Sequence, residues 1–351
     1  MIFGALQANA VEAEMLKTEL CTRIGIEYPI FSVGMGTVAG PALAAAVSNA
    51  GACGVLGTAS LPAKVVREQI RQLRSRTDRP FGVNLVLAIL RRGQIEVCLE
   101  EKVPLLVLFW GDVEPHVAEA HRHGVKVFAQ VGSVAEAQAA AAAGVDAVIA
   151  QGVEAGGHVK GTTSLSVLLP AVVEAVWPVP VIAAGGIANG AGLVSALALG
   201  AQAVSIGTRF LASDEANAAA DYKRRIVQAR AQDTVLTELF DVGYPAAPHR
   251  VLRNDALDRW EFSGRPASGQ RPGEGDVIGS MTSGGAEVNI PRYSAYIPEP
   301  GVTADLEHMA LYAGESCELV NDIKPAAQIV RDLVQEADGA LRRLDQGARG
   351  D

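Results

Sequence analysis

The sequence predicts an α/β protein whose strands close into a (β/α)8 TIM barrel, with a smaller cap inserted after the eighth strand. Two observations carry this expectation. Between residues 29 and 210, short apolar runs alternate eight times with alanine-rich helical stretches, the pattern of parallel strands covered by helices. Three junctions, "SNAGACGVL" (48–56), "AAAGVDAVI" (141–149) and "ALGAQAVSI" (198–206), also repeat one device: Gly51, Gly144 or Gly200 stands four residues before a strand valine. A glycine there ends a helix in the left-handed conformation and sends the chain straight into a buried strand. A doubly wound sheet shares part of the pattern, but eight consecutive units favour closure.

The strands expected are 29–33 (PIFSV), 53–57 (CGVLG), 81–87 (FGVNLVL), 104–110 (PLLVLFW), 126–131 (KVFAQV), 146–150 (DAVIA), 180–185 (PVIAAG) and 203–207 (AVSIG). Their apolar runs are continuous rather than alternating, as strands buried on both faces require. Segments such as "PALAAAVSNA", "VAEAQAAAAAG" and "GLVSALALG" supply the helices between them. The character changes near residue 214. Residues 214–240 read as helix, 241–300 are rich in Pro, Gly, Ser and Arg, and 263–276 read as nearly structureless. Helical patterns return over 303–314 and 324–344. The expected organisation is therefore a barrel over 18–215 plus 303–345, with a cap over 216–302.

Composition narrows the chemistry. The chain has 351 residues, 49% hydrophobic and 20% charged, and a net charge of −9, which argues against nucleic acid as a partner. Cys21, Cys53, Cys98 and Cys317 show neither a CxxC pair nor zinc spacing, so buried reduced thiols are expected and no metal site. The first fifteen residues lack the basic start and apolar core of a signal peptide, and no run approaches the ~18–20 residues of a membrane span. A soluble, cytoplasmic protein is the expectation.

Barrel active sites lie where the strands end at their C-terminal edge. Sorted by that rule, strand 1 ends in Gly34-Met35-Gly36, strand 3 carries Asn84, strand 5 carries Gln130, and strand 6 delivers "QGVEAGGH" from Gln151 to His158. Strand 7 ends in Gly185-Gly186, and strand 8 in Ser205-Ile206-Gly207-Thr208. Glycine-rich turns after strands 7 and 8 can converge main-chain N–H groups on a phosphate. "GMGTVAG" has the wrong spacing for a dinucleotide fingerprint, and no acidic residue closes the second strand. His116, His121 and His123 suit a solvated helix face, His249 a loop and His308 a helix. Only His158 stands in a glycine loop at a strand end, where a proton-transfer or orienting group belongs. Glu154 is either its partner or a surface charge. No GxSxG elbow and no Walker A loop occur.

These segments resemble the nitronate monooxygenases, formerly 2-nitropropane dioxygenases, which are FMN-dependent barrels. The resemblance rests on "YPIFSVGMG", "FGVNL", "AQVGSVAEAQAAAAAGVDAVIAQGVEAGGH", "PVIAAGGIANGAGLVSALALGAQAVSIGTRFLASDEANA" and "YAGES". It implies FMN held by Asn84, Gln151, Gly156 and Gly186, with Gln130, Gly157 and Gly185 completing the set. It further implies Ser205, Ile206, Gly207 and Thr208 at the phosphate, Gly34-Met35-Gly36 along the isoalloxazine, and His158 as the catalytic residue. The implied reaction oxidises a nitronate with O2. Gly34 and Glu315 stand where many members carry Pro and Gln. The related FMN-dependent enoyl-acyl-carrier-protein reductases, which use NAD(P)H, share the "EAGGH" loop and are the alternative. The sequence leaves the oligomeric state open.

Overall fold

The computed structural model describes residues 16–283 and 286–349. Helix α1 (Glu19–Ile24) precedes the barrel. Eight parallel strands follow: β1 (Ile30–Ser32), β2 (Gly54–Gly57), β3 (Phe81–Val86), β4 (Leu105–Phe109), β5 (Lys126–Val131), β6 (Ala147–Gln151), β8 (Val181–Ala184) and β9 (Ala203–Ile206). Their order in space is β1-β9-β8-β6-β5-β4-β3-β2. The seam between β1 and β2 is closed by Ser32 N–H donating to Cys53 O (3.0 Å) and Cys53 N–H donating to Ile30 O (2.9 Å). Every expected barrel strand is present within a residue or two of its predicted bounds. The three repeated glycines end their helices with φ of +91°, +88° and +97° at Gly51, Gly144 and Gly200.

The covering helices are α2 (Pro41–Asn49), α3 (Ala63–Arg74), α4 (Gln94–Glu100), α5 (Glu114–Arg122), α6 (Val134–Ala142), α7 (Leu165–Val176) and α8 (Gly190–Ala198). Short α9 (Thr208–Leu211) follows β9, and α12 (Ala326–Arg349) packs across α8 and α2 from outside. Strand alternation divides the core in two. Val83, Leu106, Val127, Val148 and Ala183 face the helices, while Phe31, Val55, Leu105, Val107, Phe128, Ile149, Ile182 and Ala203 fill the bore. Leu20, Cys21 and Ile26 join that inner cluster and plug its N-terminal end. Each fully buried aliphatic side chain contributes roughly 1.5–3 kcal/mol, so this double core dominates the fold's stability.

Continuing the same alternation by two residues points Asn84, Phe109, Gln130, Gln151 and Ser205 into the bore at its C-terminal end. The barrel mouth therefore has a polar floor above an apolar bore.

Beyond β9 the structure departs from expectation. Residues 214–240 are not one helix: α10 (Ala220–Gln228) ends early, and β10 (Thr234–Thr237) pairs antiparallel with β11 (His249–Leu252). Arg230 N–H donates to Asp233 Oδ2 (2.7 Å) and closes a turn. The β-branched run Thr-Val-Leu-Thr then takes a sheet partner that helical composition upstream does not foretell. The expected helix over 303–314 is also absent. It contains one short turn, Leu306–His308, and its end pairs with β11, where Leu252 N–H donates to Leu311 O (2.8 Å) and Ala313 N–H to Arg250 O (3.2 Å). Pairing to β11 claims the main-chain groups a helix would have used. Helix α11 (Asp255–Phe262) and the hairpin β12 (Val277–Ser283)–β13 (Ala286–Pro291) complete the segment. The helix expected over 324–344 is present as α12. All four cysteines are free and buried. Among the described residues no helix is long and apolar enough to cross a membrane.

Candidate active site

The loop from Gln151 leaves the barrel, turns, and contributes a two-residue strand, β7 (Gly157–His158), to the outer sheet β10-β11-β7. His158 pairs with His249 and Gly157 with Arg250 in antiparallel register. The catalytic candidate thus stands on a strand shared with the segment after β9, not on the barrel itself. Gln151 Nε2 donates to His158 O (3.0 Å), which ties that strand back to the barrel floor.

Arg250 fixes the loop from the other side. Its buried guanidinium donates to Val153 O (3.0 Å from Nη2) and to Thr234 Oγ1 (3.1 Å), and it pairs with Glu315 Oε1 at 3.1 Å. Glu315 N–H donates to Glu154 O (3.0 Å). Here two stretches of backbone cross in contact: a Cβ on Gly314 would lie 2.7 Å from the Gly156 nitrogen, and one on Gly156 would collide with residues 313–314. Close chain crossing therefore accounts for the bareness of Gly156.

Glu154 is not the partner of His158. Both carboxylate oxygens accept from Leu165 N–H (3.0 and 3.2 Å), so Glu154 caps the N-terminus of α7, where negative charge is favoured.

The remaining candidates form a ring around the mouth. Gly34 lies against Asn84, and the Met35 sulfur lies 3.9 Å from where a Gly207 Cβ would be. Thr208 Oγ1 accepts from Gly314 N–H (3.0 Å) and leaves its own hydrogen free to donate. Asn84 Nδ2 donates to Val107 O (3.1 Å), and Thr58 Oγ1 donates to Asn84 O (2.7 Å). Gly185 and Gly186 have φ of +103° and +69°, and Gly186 packs beside Glu154. Among the described residues their N–H groups donate to no protein acceptor. The N-terminus of α8, by contrast, is already occupied: Asn189 Oδ1 accepts from Gly192 N–H and Glu336 Oε2 from Gly190 N–H. A phosphate at this mouth would use the loop N–H groups, not the dipole of α8. Arg209 points away and donates to Asp322 Oδ1 at 3.0 Å.

His158 sits among rings: Tyr244 at 4.3 Å between centroids, His249 at 5.4 Å, Tyr312 at 5.5 Å and Trp110 at 6.1 Å. The residue as a whole is part-exposed, but Nε2 is fully enclosed and has no hydrogen-bond partner among the described residues. Burial, with a smaller contribution from His249, lowers the imidazole pKa to about 3, so the ring is neutral at physiological pH. Trp110, Tyr244, His249 and Tyr312 escaped the sequence reading as site residues, because they come from three stretches far apart in the chain. "HRVL" is a strand where a loop was expected, and its one β-branched residue, Val251, is the only local signal for it.

The site fits a flat, phosphate-bearing group. Among the described residues, Gln151 Oε1 is buried without a partner at the barrel floor, Gly157 has open space where a side chain would stand, and a Cβ on Gly207 would meet nothing closer than 3.8 Å. Among the described residues no cluster of three metal-ligating side chains occurs.

Comparison with known proteins follows this geometry. The nitronate monooxygenase family profile matches residues 17–93 and 87–336. A (3aS,4S,5R,7aS)-5-hydroxy-7a-methyl-1-oxo-octahydro-1H-indene-4-carboxyl-CoA dehydrogenase of Mycobacterium tuberculosis is 38% identical, over 71% of this chain and 70% of its own. A nitronate monooxygenase of Paraburkholderia phytofirmans is 30% identical, over 95% of this chain and 98% of its own. Among solved structures, FabK from Thermotoga maritima superposes with a TM-score of 0.78 at 34% identity, covering 94% of this chain and 99% of that one.

Proposed function

The chain belongs to the nitronate monooxygenase family, and from that premise we propose that it uses FMN to oxidise alkyl nitronates, such as propionate 3-nitronate, with O2. The products are a carbonyl compound and nitrite or nitrate. On this reading a cytoplasmic enzyme acts on a small molecule.

The observation that carries the reading is the neutral, enclosed imidazole of His158. A group whose conjugate acid has a pKa of about 3 is a poor base toward a C–H bond, since efficient general bases titrate near the working pH. It suits a substrate that arrives already ionised. A nitronate needs orienting and charge stabilisation, not deprotonation, and Nε2 is free to provide both.

Bound FMN would supply the electron acceptor for the nitronate and the reductant for O2. Asn84, Gln130, Gln151 and Gly157 would hold its ring, with Gly34, Met35 and Gly36 alongside. Gly185, Gly186, Ser205, Ile206, Gly207 and Thr208 would hold its phosphate. The aromatic rings around His158 would exclude water from the reacting atoms.

A second reading, oxidoreduction of an acyl or enoyl thioester with NAD(P)H as the flavin reductant, draws on the 38% identity to the CoA dehydrogenase. Anaerobic mixing of the FMN-loaded protein separates the two. Flavin bleaching by propionate 3-nitronate and not by NADH is expected. Rapid bleaching by NADH, with reoxidation by an enoyl thioester, would overturn the first reading. A protein that binds no flavin would overturn both.

A further inference from the structure

Some polar groups of the ring cluster are already committed. His249 is wholly engaged: its Nδ1 lies 2.9 Å from Ala247 O, and its Nε2 accepts from Phe240 N–H at 3.3 Å. The Tyr312 hydroxyl donates to Ala295 O at 3.2 Å. Among the described residues, His158 Nε2 and the Tyr244 hydroxyl oxygen are the cluster's two enclosed atoms without a hydrogen-bond partner, on rings whose centroids are 4.3 Å apart.

Unpaired buried polar atoms cost free energy, and two on adjacent rings mark a place where a ligand supplies what the protein does not. Tyr244 is 5% exposed, and burial pushes its pKa up, so the hydroxyl keeps its hydrogen and can donate it. Neutral His158 carries one N–H, and in the tautomer that places it on Nε2 this atom is a donor beside the Tyr244 hydroxyl. Trp110 forms a wall against both rings, at 6.1 Å from His158 and 5.5 Å from Tyr244. Its φ of +59° is rare for a bulky residue, and such strain is typically held where a side chain must be aimed.

We propose that Tyr244 is a second substrate-contacting residue, its hydroxyl and His158 Nε2 forming a two-point donor site for the paired oxygens of a planar nitronate. This rests on the nitronate reading above and deepens it. A nitronate places two charge-sharing oxygens on one atom and can accept from both donors, whereas a thioester enolate offers one oxygen. The aromatic walls select a short substituent on the carbon. Tyr244 keeps its proton throughout.

The test titrates the FMN-loaded wild type and Tyr244→Phe with sodium nitrate, a planar anion with paired oxygens that the flavin cannot oxidise. Binding is read from the flavin absorbance, and both proteins are assayed with propionate 3-nitronate. Nitrate should bind the wild type and compete with nitronate. The variant should bind nitrate about tenfold more weakly or worse, the loss of one charge-assisted hydrogen bond, and raise KM more than it lowers kcat. Its Tm should not fall, because the hydroxyl it loses bonds to nothing in the protein. Equal nitrate affinity and equal KM in the two proteins would overturn the proposal. So would a variant that loses flavin or Tm in step with activity, or a wild type that oxidises nitronate while ignoring nitrate. Nitrate binding that depends on Tyr244, in a protein that oxidises no nitronate, would leave the anion site standing and remove the proposed reaction instead.

Discussion

At the N-terminal end of the barrel, Leu20, Cys21 and Ile26 close against Phe31, Phe128 and Ile182, and the bore is apolar throughout. At the C-terminal end the same strands turn Asn84, Gln130, Gln151 and Ser205 inward, and Gln151 Oε1 has no partner among the described residues. Shifting two residues along each strand changes the bore from a core into a site. The difference teaches how the fold divides its labour: one end carries stability, and the other holds an unsatisfied group of the kind a ligand site tolerates.

Four substitutions or titrations probe that division, from the largest effect to the smallest. Gly207→Asp should abolish flavin binding, since it sets a carboxylate where the phosphate is to lie; absorbance per protein after gel filtration reads this, and normal flavin content would refute the phosphate assignment. His158→Ala should keep flavin but lose roughly 100-fold or more in turnover, within the range usual for a positioned acid-base or orienting group. Steady-state oxygen uptake measures it, and an unchanged rate would demote His158 to a turn residue.

At the other end, Leu20→Ala should lower unfolding free energy by about 2–5 kcal/mol while kcat/KM of the folded protein stays put. Urea denaturation beside an activity assay checks both halves. A large kinetic effect there would erase the contrast between the ends.

The smallest effect is in pH. The folded-state pKa of His158, about 3, lies below the ordinary 6.5, so the unfolded chain takes up that proton first. The stability associated with the neutral ring is complete above about pH 6.5 and is lost as pH falls toward 3, by at most about 1.4 kcal/mol per unit. His158→Gln should flatten the stability profile across that window, measured by denaturation midpoints at stepped pH.

The barrel was legible because its signals are local. Continuous apolar runs such as "LLVLF" and helix-ending glycines such as Gly144 carry their meaning within ten residues. Helix α12 was legible for the same reason. Thr234–Thr237 was not, because its partner, His249–Leu252, lies beyond a loop and nothing upstream announces it. The resemblance assigns Gly156 to FMN, but the nearest neighbour of its missing side chain is backbone at 313–314, a contact between residues far apart in sequence. Glu154 stood open between partner and surface charge. Capping α7 is a third role, set by how the loop folds back on Leu165. Of the site, the mouth-lining positions followed from where the strands end and from the family resemblance, while the aromatic chamber of Trp110, Tyr244, His249 and Tyr312 exists only once the tertiary fold is made.

Strand β7 also bears on how such a protein can change over evolutionary time. Because Gly157–His158 is hydrogen-bonded into β11, and β11 in turn to Leu311 and Ala313, the imidazole belongs to a unit assembled from three separated stretches of gene. Recombination that exchanged the segment after β9 alone would bring a foreign edge to β7 and break the register His158↔His249. A new substrate preference is therefore reached more readily by point changes in the ring cluster than by trading the segment as a module.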